Sequence, residues 1–138
     1  MKITFLITMC DLSLAALKAY PPDETRILMI ESQRKWQALP FHRKKMVLGI
    51  SAMRHFALEL QQAGHEVDYR HEPDFASGIQ AHYHEYQPAE ILAFQPREWG
   101  MLQILQGLSE KLPLTQIPNP FYYLPREEFI NWAKSQKN

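Results

Sequence analysis

Basic side chains along one amphipathic segment are the residues of this sequence that point most directly to chemistry. The string FHRKKMVLGISAMRHFALELQQAGHEVDY carries Arg43, Lys44 and Lys45 near its start and Arg54 further on. A helix turns by about 100° per residue, so Arg43 and Arg54 project along nearly the same line. Such an arginine can lay its stem on the core while its guanidinium reaches a carboxylate or a phosphate. The pattern predicts either a solvated arginine with a local ion pair, or an anchor for a ligand or a neighbouring domain.

The apolar residues of the same segment predict a long helix packed on a core. They repeat at spacings of three and four residues, which places them in one stripe: Met46, Ile50, Met53, Ala57 and Leu60. Val47 and Phe56 are expected to widen this stripe on either side. Gly64 is expected to end the helix, because glycine adopts the left-handed conformation of a helix C-terminus without steric cost.

Histidine and cysteine side chains are the other candidates for chemistry. His82 and His84 do not share a helix face, and His71 falls at the end of a strand, so surface histidines are expected rather than a metal site. Cys10 lies in a turn between a strand and a helix, where a nucleophile could sit, yet a lone cysteine there is more often a packing residue. One cysteine also excludes a disulfide and a thiolate metal cluster within one chain.

Strand and helix patterns alternate along the chain. Apolar and β-branched runs predict five strands: Lys2–Ile7, Arg26–Glu31, His65–Arg70, Ala89–Phe94 and Leu114–Pro118. Besides the basic segment, four helices are predicted: Ser13–Tyr20 with Ser13 as its cap, Ser77–Tyr86, Arg97–Leu112 and Arg126–Lys134. The alternation predicts an α/β fold, namely a Rossmann-like, doubly wound, mainly parallel five-stranded sheet with helices on both faces.

A ligand site in such a fold is expected at the carboxyl ends of the strands. Those ends are the segments Thr8–Ser13, Glu31–Gln37 and Gln95–Gly100. The first segment reads TMCDLS and contains no glycine, so a phosphate loop of the dinucleotide or Walker type is not expected.

Length and composition bound the class of protein. The 138 residues, 46% hydrophobic and 22% charged, predict one soluble globular domain. The formal net charge is zero, so the chain lacks the overall basic charge typical of proteins that bind nucleic acid directly. The apolar start MKITFLITMCDLSL is interrupted by Asp11 and is shorter than the roughly 20 residues that span a bilayer. We therefore expect a cytoplasmic protein with neither nucleic acid nor membrane as its direct partner.

Three strings resemble segments of one family: HRKKMVLGISAMRHFALELQQAGHEVDY, FQPREWG and REEFINWAK. They are similar, in order and placement, to the N-terminal domain of the deoxyribodipyrimidine photolyase-related proteins, the bacterial iron–sulfur branch of the photolyase/cryptochrome superfamily. The resemblance runs from about Arg26 to Lys134. It implies a photolyase-related α/β domain over residues 1–134, a tail over residues 135–138, and an antenna role in DNA photorepair.

The resemblance also implies where a chromophore would bind. In the family this domain can hold a ribityl-lumazine near the carboxyl ends of the strands, and a flavin is the related alternative. The candidate cofactor-binding residues of this chain are Met9, Cys10, Asp11, Glu31, Lys35, His42, Arg54, Gln95, Glu98 and Trp99. Lys35 and Gln95 stand where the family pattern has acids. No catalytic residue and no metal ligand is expected.

In the family a larger helical domain follows, and it binds FAD, a [4Fe-4S] cluster held by four cysteines, and damaged DNA. The resemblance implies that FAD and the cluster are not bound by this chain, and that the chain performs no repair alone. Its expected partners are a small aromatic chromophore and the helical photolyase domain or a partner chain. The cluster of Phe121, Tyr122 and Tyr123 is expected either to face the next domain or to pack over its own core, and a chain without ligand could form a homodimer through this segment. Two alternatives stay open: a degenerate structural or interaction module without ligand, and a nucleotide-binding protein that shares only the fold.

Overall fold

A five-stranded parallel sheet organises the chain in this computed structural model, which describes residues 2–37, 40 and 42–136. The strands are β1 (Ile3–Ile7), β2 (Thr25–Ser32), β3 (Glu66–Glu72), β4 (Ile91–Phe94) and β5 (Leu114–Ile117). They lie in the order β3-β2-β1-β4-β5, and every neighbouring pair is parallel. The prediction of a doubly wound, Rossmann-like α/β fold is confirmed, because the strand order reverses between β1 and β4.

Within the described residues, five α-helices connect or follow the strands. They are α1 (Gln33–Gln37), α2 (Arg43–Gln62), α3 (Phe75–Tyr86), α4 (Trp99–Ser109) and α5 (Arg126–Ser135). Sequence patterns did not predict α1, because five residues are too few to show a helical period. Lys137 and Asn138 of the predicted tail lie outside the described residues. Within the described ranges, no helix combines the length and the apolar character needed to cross a membrane.

The first crossover contains a single turn of 3-10 helix, Ala15–Leu17, so the prediction of a helix from Ser13 to Tyr20 is wrong. No side chain caps this turn. The Ser13 N–H instead donates to the Asp11 carbonyl at 2.8 Å. Pro21 follows too soon for a longer helix to form.

Helices cover both faces of the sheet, as predicted, because alternate residues of each strand point to opposite faces. On one face, α2 packs over a cluster whose fully buried members include Phe5, Ile27, Met29 and Leu60. On the other face, α3 and α4 pack over a cluster that includes Leu6, Leu28, Ile79 and Leu105. Burial on both sides explains why β2 is a nearly continuous apolar run in the sequence.

The long helix α2 packs on the sheet mainly through its later turns. The predicted apolar stripe is buried there, at Met53, Ala57 and Leu60. Val47 was expected to widen the stripe, but its side chain is 58% exposed, because the helix turns it away from the sheet. The predicted stop is confirmed at Gly64, whose φ of 93° lies in the left-handed region.

His82 is buried between α3 and the sheet, so the prediction of a surface histidine is wrong at this position. It lies one helical turn after Gly78, on the face that α3 presents to the core. His82 Nδ1 lies 2.6 Å from Asp68 Oδ2, and His82 Nε2 lies 2.8 Å from Thr4 Oγ1. Burial alone would raise the pKa of Asp68, but hydrogen bonds from His82 and Arg70 lower it overall. These polar groups can be buried because they satisfy one another.

Replacing His82 with leucine should lower the free energy of unfolding by about 2 kcal/mol or more, because Thr4 and Asp68 each lose a hydrogen-bond partner in or near the core. Urea unfolding followed by circular dichroism measures this change. His84→Leu is the matched control, since His84 lies on the same helix and is exposed; we expect a change of less than about 0.5 kcal/mol. Equal effects of the two substitutions would contradict a structural role for the buried network.

Candidate functional site

A cleft opens at the carboxyl ends of β1, β2 and β4, at the edge where the sequence predicted a site. We call it the Trp36 cleft. Its walls are the loop Thr8–Asp11 after β1, Trp36 on α1, and the segment 96–98 after β4, and its apolar lining includes Met53, Phe75 and Met101. β1 and β4 are the neighbouring strands between which the strand order reverses, which is where doubly wound folds bind ligands.

Trp36 closes this cleft against α2. The indole packs so closely on Gly49 that a Cβ atom there would lie 2.9 Å from Trp36 Cη2 and 2.6 Å from Met9 Sδ. Gly49 therefore leaves the space that these two side chains occupy. With both side chains in place, the free volume of the cleft is about 50 Å³.

An ion pair joins two walls of the cleft at its rim. Lys35 on α1 contacts the Glu98 carboxylate, directly before α4. The Glu98 side chain is largely exposed and Lys35 is partly exposed, so the pair adds little to stability. Its main effect is positional, because it places one cation and one anion at the mouth of the cleft.

Asp11 is a buried carboxyl in the cleft wall. It accepts hydrogen bonds from Thr8 N at 3.1 Å and from Thr8 Oγ1 at 2.7 Å. Burial raises the pKa of Asp11, because these hydrogen bonds and the charge of Arg97 only partly oppose the loss of hydration. The adjacent Cys10 is exposed, so the prediction that it serves in packing is wrong. The turn that buries Asp11 directs Cys10 outward.

Glu31 and Arg54 meet beside the cleft rather than inside it. Arg54 Nε donates to Glu31 Oε1 at 2.8 Å, and Arg54 Nη2 donates to Glu31 Oε2 at 3.1 Å. Tyr69 Oη donates to Glu31 Oε1 at 2.5 Å, and His71 Nδ1 lies 2.8 Å from Glu31 Oε2. Trp36 separates this cluster from the cleft, because it lines both the cleft and a shallow pocket next to Glu31. The local ion pair, one of two roles predicted for Arg54, is confirmed.

The electrostatics of this cluster keep Glu31 ionised. Burial alone would raise the pKa of Glu31, but hydrogen bonds from Arg54 and Tyr69 and the charge of His71 bring it below its ordinary value. In return, the hydrogen bond to Glu31 raises the pKa of Arg54. Burial and then the hydrogen bond to Glu31 raise the pKa of Tyr69. The carboxylate is thus held in place by three side chains from α2 and β3.

Three other predicted residues lie away from the cleft lining. His42 caps α2, where its Nδ1 accepts from Lys44 N at 3.1 Å. Gln95 Nε2 donates to Glu127 Oε1 on α5 at 3.2 Å. Trp99 begins α4 and is 67% exposed. The predicted residues that the cleft does bring together are Met9, Cys10, Asp11, Lys35 and Glu98. Among the residues that the structure describes, no group of three or more His, Cys, Asp and Glu could hold a metal ion.

Sequence reasoning did not single out Trp36, Phe75 and Arg97 as site residues, although all three line the cleft. Trp36 and Arg97 lie within two of the predicted site segments but were not named as binding residues, and Phe75 lay outside those segments. A positional signal could have found them, because each lies three or four residues after a strand ends. The side chains that follow parallel strands converge on one edge of the sheet.

Comparison with known proteins agrees with the resemblance. The family model described as "Deoxyribodipyrimidine photo-lyase-related protein" matches residues 8–138. A protein named "(6-4) photolyase" from Agrobacterium fabrum is 28% identical over 134 residues, which cover 91% of this chain and 26% of that protein. The chain thus spans about a quarter of the length of this curated relative.

Replacing Gly49 with alanine should lower the free energy of unfolding by about 1–2 kcal/mol, although alanine is the better helix former, because the added methyl overlaps Trp36 and Met9. Urea unfolding measures the change. Gly107→Ala in α4 is the matched control, since a Cβ there would lie more than 4 Å from every described part of the chain other than its own helix backbone and its two neighbours. That control should be stabilised by up to about 1 kcal/mol. Stabilisation by both substitutions would contradict the tight contact at Gly49.

Replacing Arg54 with alanine should raise the pKa of Glu31, because two lowering hydrogen bonds are lost. The folded-state pKa of Glu31 is depressed, so its contribution to stability is present above about pH 4.3 and is lost as the pH falls through the folded-state value. Arg54→Ala should diminish this loss on the acid side. Titration of the Glu31 carboxyl by NMR measures the effect directly.

Arg43→Ala is the matched control for this titration. Arg43 lies on the same line of α2, and it makes no ion pair within the described part of the chain. The titration of Glu31 should therefore be the same in Arg43→Ala as in the wild type. A Glu31 pKa that does not move in Arg54→Ala would show that Arg54 does not set it.

Proposed function

We propose that this chain, which belongs to the deoxyribodipyrimidine photo-lyase-related protein family, binds a small aromatic chromophore in the Trp36 cleft and serves as an antenna domain. A ribityl-lumazine or a flavin is the proposed class of ligand. Such a group, when bound, supplies absorption of visible or near-ultraviolet light. The residues of this chain would hold the ring and exclude water from it.

The side chains that line the cleft are the main observation in support of this proposal. Met9, Trp36, Met53 and Met101 offer an indole ring and polarizable thioethers, which suit contact with a flat aromatic ring. Asp11 and the Lys35–Glu98 pair add polar groups at the wall and the rim, where they could fix the orientation of a ring. A mostly apolar pocket with few polar groups is the usual form of a cofactor site.

The free volume of the cleft sets a condition on binding. Cofactor sites usually have volumes of about 300–1,000 Å³, whereas about 50 Å³ is free here. A ring system can enter only if side chains of the lining, such as Trp36 and Met9, change position. The apparent affinity is then reduced by the fraction of molecules in which the cleft is open. Binding should therefore change the environment of Trp36.

A ligand-free structural module is the second candidate function, and the filled cleft favours it. In that case Trp36 and Met9 are core side chains that join α1 to α2. Photorepair itself is proposed for neither candidate, because the chain spans only 26% of the (6-4) photolyase that it matches. We expect no light-dependent DNA repair from residues 1–138 by themselves.

Titration of the purified chain with a ribityl-lumazine and with a flavin should give saturable binding, followed by the chromophore's absorbance. Tryptophan fluorescence should be quenched in parallel, because Trp36 would lie against the bound ring. In Trp36→Phe the absorbance change should persist, while most of the quenching is lost. Trp132→Phe is the matched control, since Trp132 is exposed on α5 and its loss should leave the quenching by ligand intact. Absence of saturable binding to either chromophore would contradict the antenna proposal and support the ligand-free module.

A further inference from the structure

Two exposed surfaces of this molecule are complementary in charge and in apolar character. The first, which we call the α2 groove, is an open surface along one side of α2, lined by Arg43, Met46, Val47, Ile50, Ser51 and Arg54. The side chains between the two arginines are largely aliphatic, and an arginine stands at each end. The two arginines are roughly 16 Å apart along the helix axis, from the rise of 1.5 Å per residue.

Positive charge at the start of the α2 groove has no ion-pair partner among the residues that the structure describes. Arg43 and Lys44 make no ion pair within the described ranges of the chain, and the first turn of α2 contains no acidic residue. Cations are unfavourable at a helix N-terminus, where the helix dipole is positive. Arg54, at the other end, is already paired with Glu31. The unneutralised cations therefore favour a partner with negative charge at one end.

The second surface is the outward face of α5. Glu128, Phe129 and Trp132 share this face at helical spacing. The Phe129 and Trp132 side chains are 53% and 58% exposed, and their rings lie 6.0 Å apart. Large exposed aromatic side chains on one face of a helix are typical of a helix that docks on a partner.

The opposite face of α5 is attached to the sheet edge. Gln95 Nε2 donates to Glu127 Oε1 at 3.2 Å, and Arg126 Nη2 donates to the Pro96 carbonyl at 3.4 Å. These two hydrogen bonds attach the start of α5 to the segment after β4. Phe129 also lines a pocket with Pro96 and Tyr122, yet it stays 53% exposed, and Trp132 is 58% exposed. Both rings therefore remain accessible to a partner.

We propose that the occupant of the α2 groove is α5 of a second copy of this chain. The ten residues of α5 span about 15 Å, which matches the distance between the two arginines. Phe129 and Trp132 pack against the aliphatic side chains of the α2 groove, and Glu128 pairs with Arg43 and Lys44. Each copy offers one helix and one groove, so a two-fold pair forms two identical contacts and leaves neither surface exposed.

A charge-exchange experiment tests this pairing through the mass of the complex in sedimentation velocity, from micromolar to submillimolar protein. The wild type should form dimers whose affinity falls with added salt. Arg43→Glu with Lys44→Glu makes the groove acidic, and Glu128→Lys makes the helix face basic. Each variant should raise the dissociation constant about tenfold or more, since like charges then face each other. A mixture of the two variants should recover dimers, because every contact then joins opposite charges.

Lys18→Glu with Lys111→Glu is the matched control, since it reverses two exposed cations outside both surfaces and should leave the wild-type dissociation constant unchanged. A wild-type chain that stays monomeric throughout the concentration range would overturn the proposal. A dimer that survives the acidic groove would also overturn it, since α5 would then pair elsewhere, for example with α5 of the other copy. Failure of the mixture to recover dimers would have the same meaning.

Discussion

The pairing of β1 with β2 on one side and with β4 on the other is the constraint on which the rest of this structure depends. Because all pairs are parallel, the chain must cross back over a face of the sheet between one strand and the next. These crossovers include the helices that bury both faces. The same pairing brings the ends of β1, β2 and β4 to one edge. The cleft therefore arises from the strand order, and the particular side chains decide only what it can hold.

The helix α2 connects the core to this edge. Its later turns bury Met53 and Leu60 against the sheet, and its glycine, Gly49, admits Trp36 at the cleft. Arg54 binds Glu31 from the flank and so holds the end of β2. The first turn of α2 is exposed and carries the cations Arg43 and Lys44. One helix thus combines a side that packs on the sheet with an exposed, cationic start.

The fold class was predictable from the sequence because strand and helix periods are local properties and their alternation is typical of a parallel sheet with right-handed crossovers. The order of the strands was not predicted, since right-handed crossovers are compatible with several orders. The failures have physical reasons. Ser13 could not begin a helix because the turn at Asp11 and the following proline limit the crossover to one 3-10 turn. His82 was misjudged because its burial depends on Asp68 and Thr4, which are distant in sequence. The closure of the cleft by Trp36 depends on a contact between α1 and α2 that no spacing reveals.

The stretch from Gln95 to Glu98 belongs to two regions of the molecule at once. Its Gln95 carbonyl accepts from Asn119 Nδ2 at 2.9 Å, and Arg97 lines the cleft while its guanidinium lies 5.1 Å from the Tyr122 ring centroid. A segment shared in this way couples events at its two sides. If filling the cleft shifts the position of Arg97, the contact of Arg97 with Tyr122 changes as well. The affinity for any molecule bound at Tyr122 and α5 would then change. Thermodynamic linkage makes the effect reciprocal, so each event would change the affinity of the other by the same factor.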